Sequence, residues 1–196
     1  MSDIRTEEWA GEVGARWLAH LDAFEATIDP IGRALLAHAG LKPGDRVADI
    51  GCGAGMNTLD IARAVRPGGF VTGIDIAPML IDKARERLAA AGDDNVGFLL
   101  ADAQRTRPEE PLFDTLFSRF GVMFFEDSLA AFANMRRWLK PGGRVVFSCW
   151  AAQERNPWIG LVGGVISRHG PMPQREPDAP GPFRLADPEA TRSMLE

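Results

Sequence analysis

The 196-residue chain has two cysteines, three histidines, no basic excess and no apolar run of membrane-spanning length. Each shortage excludes something. Cys52 and Cys149 match no metal-ligand spacing and no disulfide framework, and their apolar strand contexts favour a reducing, cytoplasmic compartment. His20, His38 and His169 fall in no motif, so none is nominated for acid–base work. A net charge of −5 and a pI near 5.3 speak against the basic face that nucleic-acid binding needs. The basic pair Arg136-Arg137 reads as solvated helix surface. The N-terminus, Met1-Ser2-Asp3-Ile4-Arg5-Thr6-Glu7-Glu8, has acids where a secretory signal needs a basic and then an apolar region, and no segment reaches the length of a membrane span. The expectation is a soluble chain. At 45% hydrophobic residues it is long enough for one domain with a sizeable core.

What the chain does have is the stretch Arg46-Val47-Ala48-Asp49-Ile50-Gly51-Cys52-Gly53-Ala54-Gly55. A short apolar run ends in an acid and a Gly-x-Gly-x-Gly turn, and a helix-like segment follows. That order is how α/β proteins bring a backbone close to a nucleotide-like ligand at a strand's carboxyl end.

Around it the pattern alternates. Residues 8–28 place Val13, Trp17, Leu21, Phe24 and Ile28 on one helical face. Asp29-Pro30 reads as a cap opening a second helix that stops at Gly40. Trp9 and Trp17 read as core or docking residues. Strands are expected at 46–50, 70–75, 96–102, 114–120 and 144–150. Helices follow at 56–65, at 78–91, and after Asp127-Ser128, the last with Leu129, Phe132, Met135 and Leu139 inward. Lys140-Pro141-Gly142-Gly143 reads as a turn. Five alternations of strand and helix imply crossover units. The expected class is therefore α/β: a Rossmann-like, doubly wound, mainly parallel sheet with helices on both faces. The domain reading is a single unit over 1–196. Residues 1–40 are N-terminal helices, 41–150 a cofactor-binding core, and 151–196 a lid or substrate-side segment rich in proline (Pro157, Pro171, Pro173, Pro177, Pro180, Pro182). Asp187-Pro188 starts a last helix.

Three acids, Asp49, Asp75 and Asp102, fall at or near the carboxyl ends of consecutive strands, which share one edge in a parallel sheet. Asp75 lies 24 residues after Gly51, where an acid accepts hydrogen bonds from ribose hydroxyls; NAD and S-adenosylmethionine (SAM) both have them. Asp49 and the glycine spacing discriminate. The dinucleotide fingerprint needs a glycine at its sixth place, here Met56. A carboxylate two residues before the first glycine also disfavours a pyrophosphate, whereas SAM has no phosphate and carries a sulfonium and an ammonium.

Val47 to Gly55, with Gly73-Ile74-Asp75 and Ala101-Asp102-Ala103, resembles the class I SAM-dependent methyltransferases. More narrowly the chain looks like their ubiquinone/menaquinone-biosynthesis-like (type 11) small-molecule branch, over about residues 8–150. Ser118-Arg119-Phe120-Gly121-Val122-Met123-Phe124-Phe125 and Asn156-Pro157-Trp158 are similar to one bacterial group within it. The resemblance implies that Gly51, Gly53 and Gly55 admit the methionine and ribose portions, with Asp49 near the cationic end. Asp75 would take the ribose hydroxyls, Ile76 and Met79 the adenine face, and Asp102 and Ala103 the adenine edge. Ser118 would line the methyl-donor end. Arg119, Phe120, Met123, Trp150 and Trp158 would face the acceptor, although Arg119 serves equally as a structural ion pair; Asp102 taken alone reads as well as a helix cap or surface acid, a reading that the series of three acids disfavours.

The implied function is in-line transfer of a methyl group from SAM, yielding S-adenosylhomocysteine, to a small, partly apolar acceptor, with no catalytic base nominated and no metal. The alternatives are a SAM-binding protein without turnover and an NAD-dependent oxidoreductase. Enzymes of this resemblance add an antiparallel two-strand hairpin after the last helix, and this sequence ends before either strand. The expectation is a truncated form, with a homodimer or impaired activity following from the open edge beside strand five.

Overall fold

The innermost strand is β1 (Arg46–Ile50), whose residues Val47 to Ile50 are all buried. β2 (Phe70–Asp75) and β4 (Phe113–Arg119) flank it, and β3 (Val96–Leu100) and β5 (Leu139–Ser148) form the edges, in the order β3-β2-β1-β4-β5. Every neighbouring pair is parallel. Parallel pairing requires crossovers. Helices α4 (Met56–Ala64), α5 (Pro78–Ala91) and α6 (Ser128–Arg136) provide three of them. Strand order reverses between β1 and β4, and at such a switch point a crevice opens outside the carboxyl ends. This computed structural model describes residues 6–107, 112–170 and 179–196.

Alternation of side chains along each strand divides the core in two. On one face Val47, Val71 and Phe117 meet Leu59, Ile61 and Ala62 of α4, with Leu35 and Leu36 of α3 (Leu21–His38) at the margin. On the other, Ala48, Ile50, Ile74 and Leu116 meet Phe132 and Met135 of α6, Trp138 and Leu185.

Several boundaries differ from the sequence reading. The N-terminal segment forms α1 (Thr6–Trp9), α2 (Glu12–Ala19) and α3, and Pro30 lies inside α3 instead of opening a helix. The breaks fall at Gly11 and His20. Helix α3 tolerates the donor missing at Pro30 because Glu25 and Gly32, on either side, are buried, and Arg33 bridges Asp29 at 2.7 Å. The expected stripe is accordingly divided between α2 and α3, and Phe24 is exposed. β3 stops at Leu100, which leaves Asp102 in a turn, and β4 ends at Arg119. Leu129 is exposed, since α6 buries Ser128, Ala131, Phe132 and Met135 instead. Leu139 begins β5 and does not extend the helix. The turn expected at Lys140–Gly143 is an irregularity within β5, between the pairs Phe113–Leu139 and Thr115–Arg144. Lys140 pins it by donating to both oxygens of Asp114 at 2.9 and 2.8 Å.

After β5 come a 3-10 turn (Gln153–Arg155), α7 (Pro157–Ile166) and α8 (Pro188–Leu195). Asp187 caps α8, accepting from the Glu189 and Ala190 N–H groups at 2.9 and 3.2 Å. Pro171, Pro173 and Pro177 of the expected lid lie outside the described residues. Among the described residues, no helix is long and apolar enough to cross a membrane, and no group of three or more His, Cys, Asp or Glu side chains could hold a metal ion.

Candidate active site

The turn after β1 is tied down from several sides. The Gly51 and Cys52 N–H groups both donate to the Ile74 carbonyl, at 2.8 and 3.1 Å, and the Gly53 N–H donates to Asp75 Oδ2 at 2.8 Å. At Gly51 (φ +67°) a Cβ would lie 2.8 Å from the Gly121 Cα, so the loop after β4 packs backbone to backbone on the turn. At Gly53 (φ +55°) a Cβ would meet nothing within 4 Å. One glycine makes room for the protein. The other faces open space.

Asp49 is 2% exposed and accepts from the Thr58 hydroxyl at 2.6 Å. Burial pushes its carboxyl up to about 6, while Thr58 and the Arg119 guanidinium pull it down and the Asp75 charge pushes it up. Asp75 is likewise raised by burial, against the N–H groups of Ala77, Gly53 and Ile76. Its Oδ1 accepts from Ala77 at 2.9 Å. Beyond these three donors the carboxylate retains acceptor capacity for a ligand hydroxyl. Cys52 is buried, and desolvation together with Asp75 and Asp49 holds its thiol well above the usual range, so it stays a neutral filler.

The other nominated residues fall into distinct roles. Asp102 Oδ1 caps its own turn, accepting from the Gln104 N–H at 2.9 Å, and Oδ2 stands 3.7 Å from Arg105. Ala103 is buried within that turn. Ile76 is half-buried just beyond β2, and Met79 lies under α2, where a Cβ on Gly14 would approach its sulfur to 3.1 Å. A cleft of about 820 Å³ between the α2–α3 junction and α5 reaches Met79 but none of the glycine-turn residues. Ser118 is 1% exposed and donates to the Ile50 carbonyl at 2.8 Å, bracing the turn. Met123 is 1% exposed, and its sulfur lies 3.4 Å from the Trp150 N–H.

Three nominated residues form an aromatic wall. Phe120, at φ +65°, stacks on Trp150 with centroids 4.7 Å apart, and Trp158 meets Trp150 edge-on at 5.6 Å. A non-glycine residue held in the left-handed region is the kind of strain that collects at binding sites. Arg119 is half-buried and has no carboxylate within salt-bridge distance among the described residues; its Nη1 faces the Met56 sulfur at 3.9 Å. Burial lowers its pKa.

Sequence reasoning missed Thr58, Asn57 and Gly121. Thr58 and Asn57 sit on the buried side of α4, and a polar pair there was the available signal. The Asn57 Oδ1 is buried without a hydrogen-bond partner. Gly121 packs against the Ile50 carbonyl and Gly51, a contact that no local pattern announces.

Residues 47–143 match the methyltransferase domain family. The chain carries a methyltransferase domain over these residues. It is 35% identical over 119 residues to the aklanonic acid methyltransferase of Streptomyces sp. (strain C5), covering 61% of this chain and 54% of that one. It is 36% identical over 107 residues to the demethylmenaquinone methyltransferase of Staphylococcus aureus (strain JH9), covering 55% of this chain and 44% of the relative. The chain thus spans about half the length of these relatives. The fold matches a SAM-dependent methyltransferase from Aquifex aeolicus with a TM-score of 0.63 at 20% identity, over 84% of this chain and 76% of that one. The crevice of this methyltransferase domain fits SAM. Space lies open at Gly53, which is bonded to Asp75, and the unpartnered Asn57 oxygen and the Asp49 carboxylate are buried acceptors of the kind a cationic ligand needs.

Proposed function

We propose that this chain transfers a methyl group from SAM to a small, partly apolar acceptor, with S-adenosylhomocysteine as the product. The observation that carries the reading is the switch-point crevice, where the glycine turn is hydrogen-bonded to Asp75 and backed by the buried carboxylate of Asp49. Asp75 takes the ribose hydroxyls with its remaining acceptor capacity, Asp102 and Ala103 the adenine edge, and Ile76 and Met79 its face. Asp49 and Asn57 face the ammonium and sulfonium end. When bound, SAM supplies a methyl group already activated on a positively charged sulfur. The protein's part is alignment and exclusion of water. Phe120, Trp150 and Trp158 supply a flat apolar wall for the acceptor, backed by Met123, and Arg119 offers a guanidinium that makes no direct salt bridge among the described residues. No residue is assigned as a base, because a base helps only an acceptor whose nucleophile carries a proton. The free thiols of Cys52 and Cys149 favour a reducing, cytoplasmic setting.

The acids give this site a pH dependence. In the folded chain Asp49 holds its proton to about pH 6, against 3.8 ordinarily, so folding binds a proton between these values. Its contribution to stability is greatest below that window and is lost as pH rises through it. Affinity for the cationic SAM runs the other way, rising about ten-fold between pH 5 and 7 as Asp49 ionises. Calorimetric titration over that range checks this. Asp49→Asn removes the part of the rise centred near pH 6, and Arg119→Leu moves the midpoint upward, because the guanidinium helps to ionise Asp49. A flat profile in the unaltered chain contradicts the assignment.

We further propose that residues 151–196 form the acceptor-side segment and that a second copy covers the open flank. β5 is an edge strand, and α7 beyond it exposes Leu161, Val162, Val165 and Ile166 by 48–74%. A two-fold contact lets the same strip meet itself. Light scattering after size exclusion is expected to show a dimer, and Val162→Asp with Val165→Asp a monomer. A monomeric unaltered chain removes the proposal. The activity itself is tested by transfer of labelled methyl from SAM to a panel of small aromatic and aliphatic acceptors. Labelled product that depends on the chain supports it. SAM binding without product from any acceptor favours a binding protein.

A further inference from the structure

One ion pair, with a buried carboxylate and a half-buried guanidinium, takes no part in that chemistry. Glu25 of α3 is 7% exposed and accepts both Nη1 and Nη2 of Arg87 on α5, each at 2.7 Å. Nη1 also donates to the Ala54 carbonyl at 3.1 Å, inside the glycine turn. Arg87 and Ala84 lie three residues apart on α5 and so share a face. Ala84 bears on the same turn, since a Cβ on Gly55 would come within 3.1 Å of the Ala84 Cβ. α5 therefore grips the turn at two successive residues, Ala54 and Gly55.

A buried ion pair is seldom worth more to stability than a well-packed apolar pair, so its presence invites a geometric explanation. The planar guanidinium supplies one here. Its fork satisfies both Glu25 oxygens and still presents an N–H to a carbonyl in a fixed direction, which a lysine ammonium does not reproduce. The other hydrogen bonds on the turn come from β2 (the Ile74 carbonyl and Asp75), from the turn itself (Gly55 to Cys52) and from the first turn of α4 (Leu59 to Gly55). Arg87 links the turn to the N-terminal helices.

We propose that Arg87 is a positioning residue for the cofactor turn: it fixes the Ala54 peptide, and Glu25 fixes Arg87, so the docking of α3 and the shape of residues 51–55 are set together. The proposal rests on the reading of the crevice as a SAM site, and its test separates the two. Three proteins are compared with the unaltered chain: Arg87→Met, Arg87→Lys, and the exchange Glu25→Arg with Arg87→Glu. The exchange restores opposite charges between α3 and α5 but moves the guanidinium to α3 and leaves a carboxylate facing the Ala54 carbonyl.

Without cofactor, amide exchange in residues 51–55 is expected to speed up about ten-fold in Arg87→Met and in the exchange, whereas α3 regains protection and the melting temperature recovers in the exchange alone. In calorimetric titration, SAM is expected to bind about ten-fold more weakly to Arg87→Met and to the exchange, and a few-fold more weakly to Arg87→Lys. If Arg87→Met does not fold, Arg87→Lys carries the same comparison. Recovery of both melting temperature and turn protection in the exchange overturns the proposal, because the pair is then only structural. So does a turn as protected in Arg87→Lys as in the unaltered chain. An unaltered chain that does not bind SAM fails the functional reading instead, and the exchange data still decide the positioning role.

Discussion

Asp75→Ala is expected to weaken SAM binding at least about a hundred-fold, roughly 3 kcal/mol, while the chain stays folded. Asp75 has two tasks. It is the acid offered to the ribose hydroxyls, and it already accepts from Gly53 at 2.8 Å and Ala77 at 2.9 Å. Removing it takes away a charged acceptor worth about 1.5–3 kcal/mol per hydrogen bond and frees the Gly53 peptide, so the ligand loses both a partner and the shape of its turn. The folded state loses less, because the carboxylate is itself disfavoured by burial, as its raised pKa shows. Titration calorimetry reads the first effect and thermal unfolding the second. An affinity within two-fold of the unaltered chain removes Asp75 from the site.

Two glycines of the same turn are expected to fail in different experiments. Gly51→Val puts a branched side chain at φ +67° with its Cβ 2.8 Å from the Gly121 Cα. The left-handed conformation costs a branched residue upwards of about 1–2 kcal/mol, and the overlap is with backbone that must move as a whole. The expected total is about 3–5 kcal/mol, seen as a large fall in the melting temperature. Gly53→Ala meets nothing within 4 Å. It should cost stability only about 1 kcal/mol of backbone strain, yet its methyl group projects into the space assigned to the ligand, so the loss appears in SAM affinity. Equal melting temperatures for Gly51→Val and the unaltered chain contradict the packing of the 118–121 loop on the turn.

How much of this was legible depends on how local each feature is. α5 begins at Pro78 and ends at Ala91, as the proline and the inward leucine and isoleucine spacing indicated. Caps at Asp127 and Asp187 were equally plain. Asp29-Pro30 misled because its local signal is the same as that of a helix start, while the packing that buries Glu25 and Gly32 on either side of it comes from distant chain. The Pro-Gly-Gly after Lys140 misled in the same way, since Asp114, from β4, fixes it within the strand.

The placement of Asp49, Asp75 and Asp102 at or near the carboxyl ends of β1, β2 and β3 was legible from strand period and spacing. Their surroundings were not. Gly51 meets Gly121, and Glu25 meets Arg87, across separations of 70 and 62 residues; no window along the sequence contains both members of either pair. Ser118 was read as lining the methyl-donor end, and its hydroxyl donates to the Ile50 carbonyl, a bond across 68 residues that no local pattern announces. It supports the turn from the protein side.

The most direct measurement is calorimetric titration of the chain, at neutral pH, with SAM, S-adenosylhomocysteine and NAD in parallel. The account predicts one-to-one binding of the first two and no heat of binding with NAD. Binding of NAD, or a chain that stays folded and takes up neither SAM nor its product, would contradict it.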